Sequence, residues 1–128
     1  MVQQVTKGIK ISVRPKFEGT LVNRHQESYT FSYTITIENQ SNETVQLLTR
    51  YWKIKDALKR TEIVKGEGVV GVKPLLSPGD KHTYSSGCLL KAPFGSMQGH
   101  YTLINHVTNK TFKVTIPTFK LHAAFAVN

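Results

Sequence analysis

Alternation with a period of two runs through most of the chain, and it limits what the chain can fold into more than any other feature. In SYTFSYTITIEN, Tyr29, Phe31, Tyr33, Ile35 and Ile37 fall on one side, and Thr30, Ser32, Thr34 and Thr36 on the other. A segment so divided buries one face and wets the other when it is a β-strand. Its β-branched and aromatic residues also suit a pleated surface. GIKISVRPKF repeats the pattern at Ile9, Ile11 and Val13. Pro15 has no N–H to give a ladder, so this strand ends there, bulges or lies on an edge. TVQLLTRYWKIKD is in phase at Val45 and Leu47 but out of phase at Trp52 and Ile54. The change near Thr49 requires a β-bulge or burial on both faces.

KHTYSSGCLL, HYTLINH and KTFKVTIPTFKL read as further strands, the last with Pro117 at an edge or bulge. NQSNET, SPGD and VTNK read as turns, with Gly79 at the positive-φ site of a type II turn. DALKR reads as a loop with one helical turn. Nowhere does a helical period persist for the length a helix needs. The expected fold is all-β: an immunoglobulin- or fibronectin type III-like antiparallel β-sandwich of about seven strands, in a single domain over 1–128. Its core is expected to span about 6–121, followed by a short C-terminal tail.

Cys88 is the only cysteine, which excludes an intramolecular disulfide and a cysteine cluster for zinc or iron–sulfur. Between Gly87 and Leu89 it reads as a small buried hydrophobe. No segment approaches the roughly 20 apolar residues of a membrane-spanning helix, and the N-terminus has no apolar signal core. A cytoplasmic protein without membrane insertion is expected. Seventeen Lys and Arg against eight Asp and Glu give a formal charge of +9. That balance suits either a basic surface with no dedicated ligand or an anionic partner such as nucleic acid, a lipid surface or an acidic protein.

Gly66-Glu67-Gly68-Val69-Val70-Gly71 satisfies G-x-G-x-x-G. A dinucleotide site needs that motif to open a helix whose N-terminus holds the pyrophosphate. Here VKPLLSPGD follows, and its prolines exclude the helix. The first expectation is that these glycines bend the chain or admit a close neighbour. The second is that consecutive N–H groups, flanked by Lys65 and Lys73, form an anion nest. That nest would take phosphate, pyrophosphate, a nucleotide or nucleic acid on a loop spanning 65–73.

No spacing suggests a catalytic group, a metal site or a cofactor. The histidines His25, His82, His100, His106 and His122 are scattered, no G-x-S-x-G elbow is present, and the carboxylates lie in or near turns. Lys53, Lys55, Lys59, Arg60 and Lys65 form a basic run beside Tyr51 and Trp52, a mixture able to bind single strands by stacking and phosphate contact. PFGSMQG reads as a loop in which Phe94 and Met97 either close the end of the sandwich or present an apolar contact. Together with Trp52, which on a strand also suits the core, they are the candidate protein-contact residues.

YWKIKD (51–56), VKGEGVVGVKPLLSPGD (64–80), YSSGCLLKAPFGSMQGHY (84–101) and FKVTIPTFKL (112–121), read together, resemble the ApaG family, also called DUF525 or CorD. The resemblance runs from about Thr6 to Leu121. It implies a fibronectin type III-like sandwich and a non-catalytic protein-interaction module. It also implies a genetic association with cobalt resistance and magnesium efflux in bacteria. Related domains in eukaryotic F-box proteins and a polymerase-delta-interacting protein imply an unknown protein partner, with a homodimer also possible. The pyrophosphate role suggested for the family's glycine motif carries over to Gly66, Gly68 and Gly71. This chain departs from the family at ALKR after the YW strand, and at Val72-Lys73 after Gly71, where the family is often acidic.

Overall fold

The alternating segments form nine strands, as seen in a computed structural model in which residues 1–123 are described. They are β1 (Val2–Thr6), β2 (Ile9–Asn23), β3 (Gln26–Asn39), β4 (Val45–Asp56), β5 (Glu62–Glu67), β6 (Leu75–Leu76), β7 (Lys81–Leu90), β8 (Phe94–Asn105) and β9 (Lys110–His122). One sheet has the order β1-β2-β3-β7; the other has β5-β4-β8-β9, with β6 pairing β4 beyond the end of β5. Every pairing is antiparallel. Without short β1 and two-residue β6, three strands face four, the seven-strand sandwich expected from the sequence. β1 (Val2–Thr6) starts ahead of the expected core of 6–121 and joins it at Thr6. The expected C-terminal tail lies largely outside the described residues.

Ile9, Ile11, Val13, Phe31, Tyr33, Ile35 and Ile37 from one sheet meet Leu47, Trp52, Met97, Tyr101, Leu103, Val114, Ile116 and Phe119 from the other. Tyr33, Trp52 and Phe119 pack ring against ring, with centroids 5.5 to 5.9 Å apart. Between the sheets, the Tyr84 hydroxyl of β7 pairs with the Tyr101 hydroxyl of β8. Burial pushes both phenols above their ordinary range, so both stay protonated in the core.

The prolines and the phase change resolve into irregularities of the register. Pro15 lies on β2 beyond the last residue paired with β1, where that edge is open. Pro117 and Thr118 together stand opposite the single Gln98, so β9 carries one extra residue in a bulge there. In β4, Leu47 pairs with Leu103 and Thr49 with Thr102, so Leu48 is an inserted residue. The bulge, not burial on both faces, explains the change of phase. After it, Arg50, Trp52 and Ile54 point between the sheets, whereas Thr49, Tyr51, Lys53 and Lys55 point outward. All of PFGSMQG after Pro93, expected as a loop, is the start of β8. Its glycines suit close strand contact: a Cβ on Gly99 would collide with the Tyr51 carbonyl.

Asn39, at the end of β3, is completely buried and ties four segments together. Its Nδ2 donates to the carbonyls of Glu43 (2.8 Å) and Leu76 (2.9 Å), and its Oδ1 accepts from Ser41 N (2.9 Å) and Ser41 Oγ (2.6 Å). Its own N–H donates to Asp80 O (3.0 Å), and its carbonyl accepts from Gly79 N (2.8 Å). Asn39→Ala leaves the buried Leu76 carbonyl and the part-buried Glu43 carbonyl without this donor and should destabilise the protein by about 3 kcal/mol. Urea unfolding followed by tryptophan fluorescence measures it. A loss below about 0.5 kcal/mol would show that the hub does not carry stability.

Candidate functional site

The glycine motif begins on β5 and closes a tight hairpin; it is not a loop from 65 to 73. Val69 N donates to Val72 O (2.8 Å) and Val72 N to Val69 O (3.1 Å), which makes Val70-Gly71 a two-residue turn. Both turn residues have positive φ, 46° and 79°, the pattern of a type I′ turn. Gly68 also has positive φ, and a Cβ there would run into Val72 O. Gly66 leaves room for the Arg50 guanidinium, whose Nη1 donates to the carbonyls of Glu67 (2.8 Å) and Gly68 (3.0 Å). Each glycine therefore has a backbone or packing reason to be present.

The expected anion nest has little to work with here. The N–H of Gly68 goes to Leu48 O (2.8 Å), and those of Val69 and Val72 go to each other's carbonyls. The flanking lysines do not converge either. Lys73 Nζ pairs with Glu67 at 2.9 Å, and Lys65 Nζ lies over the Tyr51 ring, 5.8 Å from its centroid. Two of the three candidate contact residues are corrected outright. Trp52 is 3% and Met97 1% exposed, both in the core, so neither offers a surface. Phe94 is 53% exposed.

Lys65 belongs to a different arrangement, on the outer face of the β5-β4-β8-β9 sheet. The register sets Lys65, Tyr51, His100 and Thr115 side by side on four successive strands. Tyr51 and His100 stack, with centroids 4.8 Å apart and planes within 9°. A depression of about 550 Å³ beside them is lined by Thr49, Arg50, Tyr51, Lys65, Gly66, Glu67, His100 and Lys113. Burial, and then the Lys113 charge, hold the His100 imidazole below its ordinary range, so at neutral pH it is an uncharged ring. Lys53, Lys55 and Lys120 share this face by the same alternation, and Phe94 stands at its far end opposite His122. Among the described residues, Glu67 is the one carboxylate at an outward position of these four strands, and it is already paired with Lys73.

His100 and Lys113 were not legible as partners. They lie on strands whose pairing depends on two bulges, and a period of two gives the face but not the neighbour. Tyr51 beside Lys65 was partly legible from the basic run. The remaining histidines have local roles where contacts are defined: His82 stacks on Tyr84 and His106 bonds Gln46 at 2.9 Å. Cys88 is partly buried, and burial pushes its thiol up to about 11, which keeps it protonated and a poor nucleophile. Asp56 accepts from the N–H groups of Lys91 (2.6 Å) and Ala92 (3.2 Å). Among the described residues, no group of three or more His, Cys, Asp or Glu is placed to hold a metal ion.

A family profile described as the ApaG domain matches residues 20–105. The chain belongs to the ApaG domain family. It is 47% identical over 121 residues to Protein ApaG of Mesorhizobium japonicum, covering 94% of this chain and 92% of that one. It is 42% identical, with the same coverage, to Protein ApaG of Bradyrhizobium diazoefficiens. The crystal structure of the putative ApaA protein from Bordetella pertussis superposes with a TM-score of 0.84 at 36% identity, covering 92% of this chain and 95% of that one. An X-ray structure of a structural-genomics target gives 0.88 at 35% identity, covering 94% and 90%. The G-x-G-x-x-G stretch Gly66–Gly71 is thus, in this chain, a strand end and a hairpin.

Val70 is a β-branched residue in the left-handed region, where an L side chain crowds the following carbonyl. Val70→Asn, which suits that turn position, should raise stability by about 1 kcal/mol without altering the face around Tyr51. Thermal melting of the two proteins checks this, and a lower melting temperature for the variant would contradict it.

Proposed function

We propose that this ApaG-domain protein acts by binding, as a non-catalytic module that takes an anionic partner on the outer face of its β5-β4-β8-β9 sheet. The observation that carries the reading is the charge pattern of that face. Lys53, Lys55, Lys65, Lys113 and Lys120 occupy outward positions, and the single opposing carboxylate, Glu67, is held by Lys73. A one-signed surface attracts and orients a polyanion, with an affinity that falls as salt rises. On this reading, any link to cobalt resistance or magnesium efflux would run through the partner.

Charge reversal tests the reading. Lys65→Glu with Lys113→Glu should elute from immobilised heparin at clearly lower salt than wild type. Arg14→Glu with Lys81→Glu, which makes the same change in net charge on the other sheet, should move elution much less. Equal shifts in the two double variants would mean that net charge acts without a site.

A second reading, a protein partner, is favoured by one feature. β7 pairs with β3 along one side, and among the described residues no strand pairs with its other side. An open edge of ten residues accepts an added strand, including the β7 of a second copy. Sedimentation across a hundredfold range of concentration should then show a monomer–dimer equilibrium that Ser86→Pro, placed on that edge, abolishes. A monomer at every concentration would remove the homodimer.

A further inference from the structure

The anionic partner can be narrowed by the aromatic groups that stand among the lysines. We infer that this face binds single-stranded nucleic acid, with a base extending the Tyr51–His100 stack and phosphates taken by Lys65 and Lys113. The inference rests on the anionic-partner reading above and adds the requirement for a base.

Three observations lead to it. First, the two rings are parallel within 9° at 4.8 Å, so they already form a short stack that a third planar ring can continue. Tyr51 has His100 on one side and the Lys65 ammonium on the other. Across the register from His100 stands Thr115, a small exposed residue, so the open end of the stack lies toward β9. Second, the imidazole is held neutral by burial and by Lys113, which makes it a stacking surface and leaves the charge to the lysines. Third, an exposed Phe94 lies on the same face of the same strand, six residues from His100. At about 3.3 Å per residue the two are roughly 20 Å apart. Lys53, Lys55 and Lys120 occupy the rows between them.

Cations interleaved with ring faces on an open sheet are what a splayed single strand requires: backbone charge is neutralised while unpaired bases find π surfaces. A duplex keeps its bases stacked on each other and offers this face only phosphate. A polyphosphate or an anionic bilayer offers no base at all. The chemistry is common to RNA and DNA, and the 2′-hydroxyl is left for experiment to weigh.

The test is fluorescence anisotropy with labelled oligonucleotides of about twelve nucleotides, as single-stranded RNA, single-stranded DNA, duplex, and an abasic strand of equal charge. Polyphosphate and anionic phosphatidylserine vesicles serve as competitors. Both single strands should bind, with the duplex and the abasic strand much weaker. His100→Ala should weaken single-strand binding by about tenfold, while His100→Phe, which keeps a neutral ring, should retain it. Lys65→Ala and Lys113→Ala should each flatten the dependence of log affinity on log salt by about 0.7. Circular dichroism shows that each variant is folded. If the abasic strand, polyphosphate or the vesicles bind as tightly as the base-bearing strands, and His100→Ala has no effect, the base inference is overturned and the anionic-partner reading stands. If no anion binds even at low salt, both fall.

Discussion

The Asn39 side chain is the point on which the rest of the arrangement hangs. It is an uncharged polar group with two donors and an acceptor, fully buried, and each of its polar atoms is used. Through Glu43 O it sets the turn into β4, and through Leu76 O it fixes β6 against β4. Gly79 and Asp80, bonded to its backbone, fix the turn into β7. Hydrophobic burial makes two sheets adhere but leaves their relative register loose; directional bonds inside the interface remove that freedom. The segment from β5 through the Val70-Gly71 hairpin to β6 is thereby tied at its far end. Lys65, at its near end, is held beside Tyr51 by the β4–β5 ladder.

Bulges then decide what each sheet face presents. The inserted Leu48 turns Trp52 inward and Tyr51 outward, and the bulge at Pro117–Thr118 lets both Ile116 and Phe119 face the core. An unbroken alternation could not give the same strand a buried Leu47, a buried Trp52 and an outward Tyr51. The irregularities are what allow one sheet to carry a full hydrophobic layer inside and a cation–aromatic surface outside.

How much of this was legible follows from the range of each signal. Period-two alternation is local, so the first half of β2, β3, β7 and the early part of β9 up to Ile116 could be read directly, as could the missing disulfide and the Gly79 turn. The phase change at Thr49 announced a choice that the sequence alone left open. PFGSMQG looked like a loop because its small residues also suit strands that approach closely, as Gly99 does against Tyr51. For Trp52 and Met97 the sequence left core and contact both open, because burial depends on the opposite sheet. His100 and Lys113 were invisible as partners of Tyr51, since only the pairing of β8 with both β4 and β9 brings them together. The glycine motif was legible in kind, as bends and a close approach, but not in detail: the neighbour admitted at Gly66 is an arginine of the paired strand, and the bend is a hairpin.

The bulge at Leu48 gives this protein something like a reading frame. In a strand with one wet and one dry face, losing a single residue is not a local loss but a change of meaning for every position that follows. With one residue fewer before Thr49, the tryptophan would stand in water, and the tyrosine and its lysines would be sent into the core. Substitutions along the outer face can therefore vary the partner at little cost to the fold, while length in this strand is close to invariant.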